Sequence, residues 1–153
     1  ENREIPPLLY ATVYRLKADF PALRIILNGG VDTLTEVGAH LAAGVDGVMV
    51  GRKAYADPYW LTDVESAFLD RTRTWQRPSR AAIVRAMADY AEQEMRAGVR
   101  LHHITRHMLG LYHGRPGARA WRRFLSTRVG SADAGPELLL ESLQMVAGED
   151  AGF

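Results

Sequence analysis

The sequence of 153 residues contains no cysteine and only two lysines, Lys17 and Lys53. Without cysteine the chain can form no disulfide, no thiolate-ligated metal site and no thiol nucleophile. It also lacks an apolar run long enough to cross a bilayer and shows no signal-peptide pattern, so we expect a cytoplasmic protein without a membrane partner. The composition, with 47% hydrophobic and 24% charged residues, is typical of a globular protein.

Acidic residues are missing from residues 98–128, although the net charge of the whole chain is only +1. The same segment holds seven arginines and four histidines. Arginine binds phosphate with two parallel hydrogen bonds and stacks on bases, so this segment favours a nucleic acid or polyphosphate partner over a merely solvated charged face. Four of the arginines share one face of a predicted helix, namely Arg115, Arg119, Arg122 and Arg123.

The first half of the chain, residues 1–75, alternates between helix and strand. A helical pattern from Tyr10 to Phe20 precedes a short apolar strand, Arg24 to Leu27. A capping-box pattern, Thr33 to Glu36, opens a second helix, and Asp46 to Val50 reads as the next strand. Strand, helix and strand in this order predict a right-handed parallel unit. Two buried parallel strands leave both sheet edges open, so we expect this half to continue a sheet that begins in a missing N-terminal part.

The second half, residues 76–153, shows no strand pattern. Ser79 caps a predicted helix that ends near Gly98. Three further helices follow, predicted from Leu101 to Tyr112, from Gly117 to Ser126 and from Pro136 to about Val146. This half is therefore predicted to be a small helical bundle.

Glycines stand where each predicted strand ends. Asn28-Gly29-Gly30 follows the first strand, and Gly51-Arg52 follows the second. Glycine lets a ligand approach the backbone, the helix that starts after Thr33 points N–H groups towards the preceding loop, and Arg52 can pair with an anion. This layout favours a phosphate site, although glycines that only turn the chain are the alternative. The spacing matches neither G-x-G-x-x-G nor a P-loop.

The histidines give weaker evidence of a functional site than the glycine segments do. His103 and His107 are spaced as a metal pair, but the motif lacks the glutamate of H-E-x-x-H and no third ligand is evident, so no metal site is predicted. His40 is interpreted as a residue on a helix surface and not as a catalyst.

An ordered series of motifs resembles tRNA-dihydrouridine synthases of subfamily A, and the resemblance runs from Asn2 to about Met145. The series is far more specific than any one of its members. The motifs are Asn2-Arg3-Glu4-Ile5-Pro6-Pro7-Leu8, Asn28-Gly29-Gly30, Asp46-Gly47-Val48-Met49-Val50-Gly51-Arg52, His103-Ile104-Thr105-Arg106-His107-Met108-Leu109-Gly110-Leu111 and Pro116-Gly117-Ala118-Arg119-Ala120-Trp121-Arg122-Arg123.

The resemblance implies the C-terminal part of an FMN-binding (β/α)₈ barrel, of the TIM type, followed by a helical tRNA-binding domain. Such enzymes reduce the C5–C6 double bond of D-loop uridines in tRNA, at positions 20 and 20a in this subfamily, and NADPH reduces the flavin. The residues implied to hold the FMN phosphate are Asn28, Gly29, Gly30, Gly51 and Arg52. The residues implied to contact tRNA are Arg3, Arg119 and Arg122.

The family's catalytic cysteine, and the lysine and histidine that contact its flavin, belong to earlier strands and have no counterpart in this chain. We therefore expect no catalytic residue within it, and neither turnover nor tight FMN binding by this chain alone. Two alternatives remain open, an RNA-binding module without activity and a flavin barrel oxidoreductase that acts on a small molecule. The acid-free basic segment counts against the second alternative.

Overall fold

The chain forms two compact units, Glu1–Lys53 and Ala54–Phe153, in a computed structural model that describes residues 7–70, 72, 74–131 and 133–146. Most described residues are helical, and two strands pair in parallel. The compact units divide between Lys53 and Ala54. The division at residue 75, between a barrel portion and a helical domain, stays a prediction.

The first unit contains the parallel pair predicted from the sequence. Strand β1 (Ile26–Asn28) follows helix α1 (Tyr10–Asp19), and strand β2 (Gly47–Met49) follows helix α2 (Leu34–Ala42). In the register of the pair, Ile26 faces Gly47 and Asn28 faces Met49. Both strands are shorter than predicted. Leu27 is the fully buried residue of β1, whereas Ile26 and Met49 are about half exposed, so the strands are not buried throughout as the sequence interpretation expected.

Local sequence determines where α2 begins and ends. The Thr33 hydroxyl accepts a hydrogen bond from the Glu36 N–H at 3.2 Å, and the Glu36 carboxylate accepts one from the Thr33 N–H at 2.9 Å, which is a complete capping box. At the other end Gly44 adopts φ +98°, a conformation that glycine enters without strain. The predicted start and stop of this helix are both confirmed.

The second unit is built from helices around one apolar core. After α3 (Arg52–Ala56) and α4 (Leu61–Val64), Ser79 caps α5 (Arg80–Arg96), as predicted, by accepting a hydrogen bond from the Ala82 N–H. The remaining helices are α6 (Leu101–Thr105), α7 (Ala118–Arg128) and α8 (Glu137–Ser142). Short 3₁₀ or π turns lie at Pro58–Trp60, Glu65–Leu69 and Leu143–Met145. The largest fully buried side chains of this core are Trp121, Tyr112, Leu101, Leu125 and Leu139.

The predicted helix from Leu101 to Tyr112 is wrong in its length. Helix α6 ends at Thr105, and residues 106–114 form a series of turns. In these turns N–H groups bond to the carbonyl three residues back, as from Met108 to Thr105 and from Leu111 to Met108. Met108, Leu111 and Tyr112 are all buried, so packing in the core overrides the local helical preference.

The backbone at Gly110, within these turns, lies very close to the backbone of Ala56. A Cβ added at Gly110 would lie 2.2 Å from the carbonyl oxygen of Ala56 and 3.0 Å from Cδ of Pro58. Only glycine permits such an approach of two backbone segments.

In the described part of the chain, no helix has both the length and the apolar character needed to cross a bilayer.

Candidate functional site

The carboxyl ends of β1 and β2 border a cleft of about 190 Å³. The parallel register brings Asn28 beside Met49, so the segments that leave the two strands start from the same edge. The cleft is lined by Asn28, Gly29, Gly30, Val31, Asp32, Met49, Gly51 and Arg52. The structure thus brings together all five residues that were predicted to hold a phosphate, although they come from two separate segments. Their binding of a flavin remains a prediction.

Gly29 and Gly30 have backbone conformations that other residues would adopt only with strain. Their φ angles are +128° and +64°. A Cβ added at Gly29 would lie 2.9 Å from Cδ2 of Leu8, and one at Gly30 would lie 2.7 Å from Cδ1 of the same leucine. The positive φ angles therefore favour glycine at both positions, and the end of the Leu8 side chain packs against the loop.

Arg52 supplies positive charge at the cleft. It lies at the first position of α3, directly after Gly51, and its side chain is exposed. In the part of the first unit that the structure describes, no carboxylate pairs with it. A guanidinium without a protein partner at the edge of a glycine-lined cleft can bind an anion with two parallel hydrogen bonds.

The side chain of Glu36 closes the loop before α2, and its bond to Asp32 is a contact that the sequence interpretation of this helix start did not include. The Glu36 carboxylate accepts hydrogen bonds from the Asp32 N–H at 3.0 Å, the Thr33 N–H at 2.9 Å and the Thr33 hydroxyl at 2.9 Å. These bonds, that from Asp32 first, lower the pKa of Glu36. The Glu36 carboxylate thus takes up the N–H groups of Asp32 and Thr33, in the loop just before the helix.

His40 is a residue whose place the sequence interpretation missed. It was assigned to a helix surface, but it is buried, with 6% of its surface exposed, and its Nδ1 lies 2.6 Å from the Tyr14 hydroxyl. Its ring also meets the ring of Tyr10 edge-on, with centroids 4.6 Å apart. The signal was present in the sequence, because His40 stands three residues after the buried Val37 on the same helix face.

Helix α7 of the second unit carries three of the four arginines predicted to share a helix face, whereas Arg115 lies before the helix, which begins at Ala118. Arg119, Arg122 and Arg123 are exposed, while Trp121 and Leu125 on the same helix are fully buried. Among the residues described, no carboxylate pairs with these three arginines. The helix therefore presents concentrated positive charge to solvent. Arg3, also predicted to contact tRNA, lies outside the described residues.

The start of α7 is fixed by close packing. Gly117 precedes the helix with φ +81°. A Cβ added there would lie 2.2 Å from the carbonyl oxygen of Met145 and 3.0 Å from Cα of Val146. The arginine-bearing helix is thus anchored at its first turn against the segment that follows α8.

A second group of basic side chains lies on and just after α6. The rings of His102 and His103 are 4.0 Å apart, and Arg106 Nε donates a hydrogen bond of 3.0 Å to His107 Nε2. The charge of His102, then partial burial and the charges of Arg106 and Arg100, lowers the pKa of His103. No cluster of side chains suited to a metal ion occurs among the described residues. These histidines and arginines on and after α6 therefore form a second basic group, in addition to the arginines of α7.

Comparison with known proteins covers nearly all of the chain. The sequence profile of the dihydrouridine synthase family (Dus) matches residues 1–147. A protein of Shewanella oneidensis named tRNA-dihydrouridine(20/20a) synthase is 49% identical over 146 residues, which are 95% of this chain and 43% of the relative. Proteins of the same name from Escherichia coli K12 and from a Synechocystis species are 50% and 49% identical.

These relatives are much longer than the sequence described. The alignment takes in 96% of this chain but 42% of the Escherichia coli protein, and the chain thus spans less than half the length of the curated relatives it matches. The profile match nevertheless includes both the cleft of the first unit and helix α7 of the second. The family predicted from the motifs is confirmed, and the chain belongs to the dihydrouridine synthase family.

Proposed function

We propose that this chain is the C-terminal part of a flavin-dependent tRNA-dihydrouridine synthase. In this proposal β1 and β2 are the last two strands of a (β/α)₈ barrel, and the helices from α5 onward form a tRNA-binding bundle. The observation that carries the proposal is the shared cleft of Asn28-Gly29-Gly30 and Gly51-Arg52, within a segment about 50% identical to enzymes of that name. Phosphates commonly bind at the loops after strands 7 and 8 of such barrels.

The residues of the cleft fit the phosphate of FMN. Gly29 and Gly30 line the cleft with backbone alone, and Arg52 has no competing carboxylate in the described part of its unit. Asn28 adds a side-chain amide that can donate to a phosphate oxygen. When bound and reduced by NADPH, FMN would supply the hydride for reduction of the uridine ring. This chain's own part is to hold and orient the cofactor.

The basic surface of α7 fits the phosphates of tRNA. Arg119 and Arg122 are three residues apart on one exposed face, without carboxylates to neutralise them among the described residues. We assign them, together with Arg3, to the binding of tRNA. Such contacts fix the position of the RNA, and the uridine to be reduced must leave its stack to reach the flavin. A tRNA substrate also places the reaction in the cytoplasm.

The catalytic acid is assigned to a cysteine outside this chain, because the chain itself contains none. The names of the relatives point to uridines 20 and 20a as targets. Reduction at these positions is therefore the activity that we propose for the complete protein, and not for this segment alone.

The experiment is an assay of the complete protein that carries this segment, supplied with FMN, NADPH and unmodified tRNA. We expect dihydrouridine at positions 20 and 20a, detected by mass spectrometry of nuclease fragments. Arg52→Ala should weaken FMN binding about tenfold or more, as expected for loss of a charge-assisted hydrogen bond. Arg15→Ala is the matched control, because Arg15 is an exposed arginine of the same unit that approaches Asp19 at 3.8 Å.

Each outcome distinguishes the candidate functions. Absence of dihydrouridine under conditions in which a known synthase forms it would overturn the proposal. Binding of tRNA without binding of FMN would favour the inactive RNA-binding module. Binding of FMN with no affinity for tRNA would favour an oxidoreductase that acts on a small molecule.

A further inference from the structure

Tyr10 of helix α1 reaches the glycine loop of the cleft. Its hydroxyl donates a hydrogen bond of 2.6 Å to the carbonyl oxygen of Gly29. The Tyr10 hydroxyl oxygen would also lie 3.1 Å from a Cβ added at Gly30, so this hydroxyl packs directly against both glycines. Tyr10 does not line the cleft itself, and the sequence motifs gave it no role.

The ring of Tyr10 is held from its other side. It meets the ring of His40 edge-on at 4.6 Å, and His40 is in turn buried and hydrogen-bonded to the Tyr14 hydroxyl. Packing against His40 restricts the side-chain rotamer of Tyr10 and so limits where its hydroxyl can lie.

The geometry of the peptide group gives this hydrogen bond a consequence for the cleft. The peptide between Gly29 and Gly30 is trans and planar, so its C=O and N–H point in opposite directions. A carbonyl held towards Tyr10 therefore aims the Gly30 N–H away from α1. Hydrogen bonding at the carbonyl also polarises the amide and makes its N–H a stronger donor.

Such an anchor is needed because the loop has little stiffness of its own. Glycine enters positive and negative φ about equally readily, so a Gly-Gly peptide can turn over at low cost when nothing holds it. The packing of Leu8 against the loop limits its position, but an apolar side chain cannot select the direction of a carbonyl. The Tyr10 hydroxyl supplies that selection.

We infer that Tyr10 is a positioning residue for the cofactor phosphate, which orients the Gly29–Gly30 peptide so that the Gly30 N–H faces an anion in the cleft. The inference rests on the proposed function, because the anion in question is the phosphate of FMN. It predicts an effect confined to the phosphate, since the contact lies at the phosphate loop and not at a surface that could meet the flavin ring.

Tyr10→Phe in the complete protein is the test, with FMN and riboflavin as paired ligands. Riboflavin lacks the phosphate but carries the same ring. Removal of one hydroxyl should raise the dissociation constant of FMN about three- to tenfold, as for the loss of one neutral hydrogen bond, and leave that of riboflavin unchanged.

Tyr14→Phe is the matched control, because it removes a hydroxyl from the same helix one turn away. It leaves the Tyr10–Gly29 bond and the Tyr10–His40 ring contact in place, and removes only the 2.6 Å partner of His40 Nδ1. This variant should lower the thermal midpoint and keep the preference for FMN over riboflavin. A role of Tyr10 in folding alone would instead make the two variants behave alike.

The outcomes separate this inference from the proposed function. If the unmodified protein binds FMN no better than riboflavin, the phosphate site of the proposed function is wrong. The positioning role of Tyr10 is tested once the unmodified protein is found to bind FMN more tightly than riboflavin. It is wrong if Tyr10→Phe keeps this preference for FMN in full. It is also wrong if Tyr10→Phe loses affinity for both ligands equally.

Discussion

The ammonium of Lys17 lies 2.7 Å from the carboxylate of Asp46, at the end of the strand pair opposite to the cleft. The same ammonium donates to the carbonyls of Pro21 and Leu23, and the same carboxylate accepts the Ile25 N–H at 2.8 Å. This one ion pair therefore joins α1 and the entry to β1 with the entry to β2. These bonds join the entries of the two strands, at the end from which the parallel register runs towards the glycine segments.

Acid should weaken the first unit through Asp46. The hydrogen bond from Lys17, followed by that from the Ile25 N–H, lowers the pKa of Asp46 below its ordinary value. The unfolded chain then binds the proton more readily, so the stabilisation is fully present above about pH 4 and is lost as pH falls through the lowered pKa. Asp46→Asn should reduce this dependence, measured by urea unfolding of the complete protein over descending pH.

Asp19→Asn is the control for Asp46, because Asp19 pairs with Arg15 at 3.8 Å on an exposed helix surface. It should leave the pH profile close to that of the unmodified protein, as exposed pairs contribute little. Equal profiles for Asp46→Asn and the unmodified protein would show that the ion pair does not stabilise the strand entry.

Gly117 and Gly114 allow backbone strain to be separated from steric overlap. Both have positive φ, +81° and +71°, but a Cβ at Gly117 would overlap the carbonyl of Met145, and one at Gly114 would meet nothing within 4 Å. Gly114→Ala should cost about 1 kcal/mol of unfolding free energy from strain alone. Gly117→Ala should cost about 2–5 kcal/mol, because overlap is added. Chemical unfolding measures both, and equal losses would contradict the close packing at α7.

Loss of two arginines from α7 should weaken tRNA binding without affecting the flavin site. In Arg119→Ala with Arg122→Ala, the slope of log affinity against log salt concentration should become shallower by about 1–2, because fewer counterions are released on binding. The affinity for FMN should not change. Filter binding with unmodified tRNA at several salt concentrations measures the slope.

A double variant on α5 controls for the loss of charge. Arg85 and Arg96 are exposed on that helix, and Arg96 pairs with Glu92. Alanine at both positions removes the same net charge as the α7 variant. If it weakens tRNA binding as much, the effect reflects overall charge and the assignment of α7 is wrong.

His103 should make tRNA affinity depend on pH. The positive neighbours that lower its pKa, His102 first, keep it neutral near pH 7. A bound phosphate offsets that repulsion and favours the protonated ring, so binding takes up a proton and affinity rises as pH falls towards the lowered pKa, below about 6.5. His103→Gln should flatten this rise, measured by titration of tRNA at each pH. His113→Gln, at an exposed histidine farther along the chain, should not.

Local features of the fold were predictable because their causes lie within a few residues. The capping box at Thr33 and Glu36, the cap at Ser79 and the stop at Gly44 are each set by near neighbours, and the structure has all three. The two glycine segments and the parallel direction of their strands also follow from short patterns. The extent of α6 did not, because three buried side chains and the close approach of Gly110 to Ala56 decide where it ends.

The sequence by itself determined the family, the glycine segments and the basic character of residues 98–128, since these depend on residue identity and order. Only the tertiary structure decided which groups remain available in the cleft. Tyr10, from an earlier helix, holds the carbonyl of Gly29, and the parallel register brings Arg52 to the cleft that Asn28, Gly29 and Gly30 line. Hydrogen bonds between segments distant in sequence depend on packing, and no local pattern specifies them.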